Sequence, residues 1–526
     1  MTIPSFAAGV FTNTLNTNNL LGINAKLTDL QTQLSSGKIA QTYGGLGANR
    51  VTSLQFQQQL AQSNGYFSTA NDVAQRLSFT NDALDTINKA TNSFQSTLSA
   101  GTYSLDGSGK IVAQGIASNN LDLAIDALNT KYGDRYLFSG RASDKQPLNN
   151  SSLIINGDAT HDGLKQVLLE RNQADLGIVS ATAPAIDPPS LGRLQTGLAG
   201  TTVSLNEDVA GSPFGFKLGA SAPTSTTANI VASGPTGAQN TISFNVAAQP
   251  VAGDSVSFTL TLPDGTVKTV SLSAAASVTS GSSSAQFQIG ATVAQTATNL
   301  NAAVTAALNL TAATSLKAAS SSVAAQSFFG QTVASPALRV GTLPATTATT
   351  TVAGFAAGAK ATQAFYNGEE QATASAANIT TIRNSVASRV DKGLNVGTGI
   401  QGNEPAFVKA LAAFALIAVE QFNTADPNDK QRYQEVVSRA ANNLGNPLTQ
   451  SVKDVQVQVA TSANAVKDTQ ARLKQKVSQY QTLVDGAENS DTTTISAQLL
   501  ALQTQLEASY QTTNILSKLT LTNYLR

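Results

Sequence analysis

Apolar positions follow a helical rhythm at both ends of the chain and a strand rhythm between them. Near the start, Leu20, Ile23, Leu27, Leu30 and Leu34 alternate spacings of three and four, and Gly37 offers a stop. Near the end, Ile495, Leu499, Leu502 and Leu506 are spaced 4-3-4, and the pattern resumes at Leu516 and Leu519. Each set is one stripe of a helix with a heptad seam. The remaining faces carry Gln, Thr, Ser and Asn; between Asp491 and Arg526 only Glu507 and Lys518 are charged. Such helices have an oily edge that requires a partner.

Between the ends the elements follow in order. The first 19 residues are rich in Asn and Thr without a sustained period, which predicts a weakly ordered arm. A long helix is predicted over about 49–98, with Val73, Leu77, Thr80, Leu84, Ile87, Thr91, Phe94 and Leu98 as its stripe and Gly65 as a possible kink or break. Fifty helical residues extend ~75 Å. Leu121, Ile125, Leu128 and Tyr132 mark another helix, and residues 136–140 read as a short strand. Residues 146–200 hold turn signals, including Pro184, Pro188 and Pro189, with one amphipathic piece near 164–171. Strict alternation then appears at 241–246 and 255–262, and the second run meets 266–272 across Pro263-Asp264-Gly265, a hairpin signal. Residues 291–308 look helical again. Helical periodicity returns over 372–389, 407–422, 430–444 and 449–484, with Asp485-Gly486 as a predicted break and a Gly-rich hairpin or loop over 385–402.

This order divides the chain into six parts. They are an N-terminal assembly helix (1–42), the N-terminal half of a helical core (43–145) and a connecting hairpin or loop region (146–200). A β-rich outer insert (201–368), the C-terminal half of the core (369–486) and a C-terminal assembly helix (487–526) complete it. The predicted fold class is α+β: long antiparallel helices, a coiled coil formed by the N- and C-terminal segments, with a β-rich inserted outer module. Two sparsely striped helices bury little apolar surface against the entropy of ordering them, so the arrangement draws on the same helices of neighbouring copies.

Composition narrows the chemistry. Charged residues make up 12% of the chain, against about 25% in ordinary proteins. Lys+Arg and Asp+Glu balance at 32 each, so no basic excess points to nucleic acid. Weak repulsion between like copies favours self-association. Cysteine is absent, and His161 is the single histidine, which excludes thiolate and multi-histidine metal sites. Its NGDATHDG context reads as a solvated loop, and no G-x-S-x-G elbow sits in a strand–turn–helix setting, so no enzyme and no cofactor are expected. Tyr43-Gly44-Gly45-Leu46-Gly47 lacks the Lys-Ser/Thr of a phosphate loop and reads as a turn. A glycan-binding module in 201–368 has no aromatic cluster to mark it. Neither a basic n-region nor a continuous apolar h-region opens the chain, and the run 407–419 is interrupted by Lys409, so neither a Sec signal peptide nor membrane insertion is expected.

The paired termini resemble the bacterial flagellin superfamily. The resemblance rests on residues 20–38, above all Gln33-Leu34-Ser35-Ser36-Gly37-Lys38, on the long helix and Arg135-Tyr136-Leu137-Phe138-Ser139-Gly140, and on residues 491–526. Two departures stand out. Gln41-Thr42-Tyr43-Gly44-Gly45-Leu46-Gly47 replaces the usual Asp-Asp-Pro-Ala type segment, a form similar to alphaproteobacterial members. The Leu-Gln-Arg-x-Arg-Glu-Leu type stretch of many flagellins is unmatched, which removes the basis for expecting recognition by the animal flagellin receptor. The resemblance implies a filament subunit for swimming motility, exported unfolded by the flagellar type III apparatus and polymerised outside the cell. It implies other flagellin copies, hook-associated proteins, a cap and an export chaperone as partners. The alternative within the superfamily is the hook–filament junction protein, which Leu519-Thr520-Leu521-Thr522-Asn523-Tyr524-Leu525 resembles.

Overall fold

The computed structural model describes residues 5–107, 109–177, 191–278, 285–332, 335–340, 354–369, 383–422 and 426–524, with side chains from Thr14 to Ile515 and at Lys518. Its helices are α1 (Ser5–Ser36), α2 (Asn49–Ala100), α3 (Val112–Leu128), α4 (Ser151–Asn156), α5 (Leu164–Leu176), α6 (Val293–Thr311), α7 (Lys317–Phe329), α8 (Pro405–Val419), α9 (Asp429–Gly445), α10 (Val452–Glu488) and α11 (Thr492–Tyr524). The chain forms two compact units, each described by itself. One comprises Met1–Ala74, Arg389–Asn395 and Asn464–Arg526; the other comprises Gln75–Ser388 and Val396–Ala463.

In the first unit α1 packs along α11, and the beginning of α2 lies against the end of α10. Phe56 and Tyr480 stack with ring centroids 6.4 Å apart, and Gln470 donates to Asn71 Oδ1 at 2.8 Å. Ala70 and Val73 on α2 and Val466, Leu473 and Val484 on α10 are buried, so the predicted stripes face inward. Three details differ from expectation. First, α1 already begins at Ser5, because Asn and Thr cost a helix only fractions of a kcal/mol each and Pro4 is the last proline before it. Second, Gly65 does not interrupt α2, and third, Gly486 does not end α10, which continues to Glu488. An interior glycine costs about 1 kcal/mol relative to alanine, less than the packing of a striped face returns. The break falls instead at Asn489-Ser490.

The second unit has a mixed core. Strands β4 (Leu194–Ala199), β5 (Thr202–Glu207), β8 (Thr241–Val246) and β7 (Ile230–Thr236) form one sheet in the order β4-β5-β8-β7. A second sheet runs β11 (Gln286–Gln288), β10 (Val267–Ala275), β9 (Ser255–Thr261), β6 (Thr224–Ser225). Alternation sets the faces: Ile242, Phe244 and Val246, then Val256, Phe258 and Leu260, are buried with Leu300, Val304 and Leu308 of α6. Their neighbours Ser257, Thr259 and Ser243 stay off the core. The predicted hairpin pairs Thr261 with Val267, and Asp264 in its turn accepts the Thr266 amide at 3.0 Å.

Around this lie the remaining helices. The apolar helix α8 is buried on nearly all sides. Phe414 meets Phe94 edge-on at 5.1 Å, and Phe407 meets Phe138 at 5.8 Å. Short strand pairs β1 (Lys131–Tyr132) with β2 (Arg135–Tyr136) and β3 (His161–Asp162) with β12 (Ala361–Thr362) complete this unit, and the hairpin of β13 (Ala387–Asp391) with β14 (Leu394–Gly397) includes Arg389–Asn395 of the first.

Here too some expectations fail. The predicted helix over 372–389 lies outside the described residues as far as 382; residues 383–385 are helical, but 387–389 belong to the strand β13, because Gly393 closes a two-residue turn that returns the chain along β14. The first sheet starts at Leu194. Of the expected strand 136–140 only Tyr136 lies in a strand, β2, which begins one residue earlier at Arg135. Helix α7 and the π turn Ala312–Leu316 before it arise from an Ala/Ser-rich run without a leucine stripe, because alanine packs closely wherever it faces a neighbour.

Candidate assembly interface

The striped residues of the two terminal helices occupy the first unit. On α1, Leu30 is buried and Leu20, Ile23 and Leu27 are half-buried, whereas Leu34 is 40% exposed. On α11, Ile495 is buried and Leu499, Leu502 and Leu506 are half-buried. Leu516 and Leu519 lie on α11 with side chains outside the described residues. Full burial of one such side chain contributes about 1.5–3 kcal/mol, so a half-buried seam holds a modest share of that. Much of the stripe is therefore shielded within one copy.

A second apolar set points away from the seam. Leu21 is 62% exposed, Leu500 67% and Ile515 58%, and Leu15 and Tyr510 are also exposed. The sequence reading passed over these residues. Their signal was present in the doublets Leu20-Leu21 and Leu499-Leu500: neighbouring residues on a helix differ by about 100°, so only one of two adjacent leucines can face the same partner. Exposed apolar side chains gathered on one helix pair mark an interaction surface. Lys26, Asp29, Glu507 and Lys518 are the only charges on the two helices, so little charge repulsion opposes a neighbour.

The terminal pair is fastened at its inner end. Gly37, with φ +68°, lets the chain leave α1; a side chain at that angle is disfavoured. Its carbonyl accepts the Ser490 amide at 2.9 Å, and the Ile39 amide donates to the Glu488 carbonyl at 2.8 Å. The Ser490 hydroxyl donates to Gln33 O at 3.3 Å. The Glu488 side chain accepts Ser53 Oγ at 2.6 Å and Gln57 Nε2, with Lys38 Nζ 3.8 Å away. Beside it lies a cleft of about 410 Å³ lined by residues including Lys38, Asn64, Gln481 and Asp485. The motif residues Gln33 to Lys38 thus meet 488–490 directly.

Asp491 opens α11. It accepts the Thr494 hydroxyl at 2.8 Å and the Thr493 amide at 2.9 Å. These bonds, the hydroxyl's first, hold its carboxyl below the usual carboxylate range. Tyr43–Leu46 forms a 3-10 turn with Leu46 buried, as a connector would. His161 is half-exposed, its Nδ1 3.2 Å from Asp158. Among the described residues no group of His, Asp and Glu could hold a metal ion, and no helix is long and apolar enough to cross a membrane.

Residues 11–143 match the bacterial flagellin N-terminal helical region. That match covers α1, the 3-10 turn, α2, α3 and the β1–β2 hairpin, and it supports a structural subunit of the flagellum. No curated protein and no solved structure matches the chain.

Proposed function

We propose that this chain, whose N-terminal helical region is that of the bacterial flagellins, is the structural subunit of a flagellar filament used for swimming. It assembles with other copies through α1 and α11. The observation that carries this reading is the terminal pair itself: Leu20, Ile23, Leu27, Leu30, Ile495, Leu499, Leu502 and Leu506 join the two ends within a copy, while Leu21, Leu34, Leu500 and Ile515 remain uncovered for the next. By their spacing in the sequence, Leu516 and Leu519 are assigned to the same assembly set. The copies would polymerise outside the cell after type III export, beside hook-associated proteins, a cap and an export chaperone. The first test is negative-stain microscopy of the purified chain with and without filament seeds. Seeded growth of tubes supports the reading, and a chain that never polymerises under seeding rejects it.

The segment Leu519-Thr520-Leu521-Thr522-Asn523-Tyr524-Leu525 favours a second reading, the hook–filament junction. Deletion separates the two. Loss of a junction protein leaves bare hooks and spills flagellin into the medium, whereas loss of a major filament subunit thins or shortens filaments.

A further inference from the structure

We infer that Glu488 is the positioning residue that sets the axial register between α1 and α11. Two separate segments converge on this one residue at the end of α10. Its backbone carbonyl holds the Ile39 amide at 2.8 Å, just after α1. Its carboxylate, largely buried, accepts Ser53 at 2.6 Å and Gln57 from the first turns of α2. It is also the last residue of α10, two residues before Ser490 binds Gly37 O at 2.9 Å.

The apolar stripes of the terminal pair do not by themselves specify an offset. The facing stripes are leucine and isoleucine at repeating spacings of three and four, and a heptad seam of similar residues accepts a slip with small loss. The hydroxyls of Thr28, Thr32, Ser496 and Thr504 bond to carbonyls of their own helix. Bonds of that kind, within one helix, fix no register between two. The polar joint at Glu488 does, because its carboxylate ties the end of α10 to the first turns of α2 and so fixes where α1 ends and α11 begins, and a buried carboxylate stripped of its donors is costly. Register matters for the assembly proposed above, since it decides which exposed leucines of the two helices lie side by side. The inference itself concerns the single copy.

The test uses soluble full-length chain below its polymerising concentration. Amide hydrogen exchange is read at Ile39 and Ser490, and spin-label distances are read between Lys26→Cys and Ala501→Cys, both exposed positions in a cysteine-free chain. Glu488→Ala is expected to speed exchange at both amides about 10-fold and to add a second distance population displaced by about one helical turn, ~5.4 Å. Glu488→Gln keeps the acceptor oxygen and is expected to behave as the parent chain. Ser53→Ala with Gln57→Ala, which leaves Glu488 in place, is expected to reproduce the Ala variant. Unchanged exchange and one distance population in Glu488→Ala overturn the inference. Equal loss in Glu488→Gln also overturns it, assigning the effect to general destabilisation. Polymer formation enters neither readout, so failure here is distinct from failure of the filament reading.

Discussion

Arg439 on α9 donates through Nε to Asp264 at 2.8 Å, in the turn of the β9–β10 hairpin. Glu435, one helical turn earlier, accepts from Arg439, from Lys268 of β10 at 3.0 Å and from Ser315 at 2.9 Å. The hairpin is therefore seated on a helix that follows it by more than a hundred residues. Arg439→Ala should lower the stability of this unit by about 3 kcal/mol, because it leaves the largely buried Asp264 carboxylate without its cation and Glu435 with Lys268 alone. Denaturant unfolding followed by near-ultraviolet dichroism of the tyrosines measures it, and a loss below about 0.5 kcal/mol would show the contact to be incidental.

Substitution on the two faces of the terminal helices should separate folding from assembly. Leu502→Asp, on the half-buried seam, is expected to abolish filaments while the second unit stays folded. Leu500→Asp, on the exposed side, should change monomer stability by no more than about 0.5 kcal/mol and still prevent polymerisation. Normal filaments from Leu502→Asp in electron micrographs would sink the assembly assignment; normal filaments from Leu500→Asp alone would confine assembly to the seam.

Acid should loosen the entry to α11. Asp491 has its folded pKa depressed below the ordinary 3.8 by the Thr494 and Thr493 hydrogen bonds. Its contribution is thus fully present above that ordinary value and is lost as pH falls toward the depressed folded value. Asp454 at the start of α10 behaves alike, held down by the Ser451 amide and hydroxyl. Helicity of an Asp491→Asn chain, titrated between pH 5 and 2, should fall less steeply than that of the parent. Identical curves would refute the assignment.

Truncating Phe414 tests the centre of the helical core. It is fully buried and meets Phe94 edge-on at 5.1 Å. Phe414→Ala should cost about 3–5 kcal/mol through lost burial and a residual cavity. Calorimetric melting of the full chain reads it directly.

The long helices, the β9–β10 hairpin and the seam were legible because each follows a strict period: leucines at three and four, or hydroxyl and apolar residues in alternation. Helix ends were less legible. Gly65 and Gly486 carry the usual marks of a break, yet neither adopts the left-handed backbone that Gly37 does, and the long-range packing that keeps them helical is invisible locally. Helix α7 went unseen because alanine and serine give no stripe. Among the proposed assembly residues, the sequence selected the inward members of each leucine doublet and overlooked the outward ones, since a seam search finds whatever repeats in phase. Glu488 gave no signal at all. Its role depends on Ser53 and Gln57, which lie far away in sequence.

The leucine doublets carry a last consequence. Leu20 and Leu499 are half-buried within one copy, whereas Leu21 and Leu500 stay mostly exposed. A solitary molecule can thus quiet one side of its terminal pair but never both. In the proposed filament the uncovered leucines of one copy would meet the next, and each added copy would present the same apolar side again.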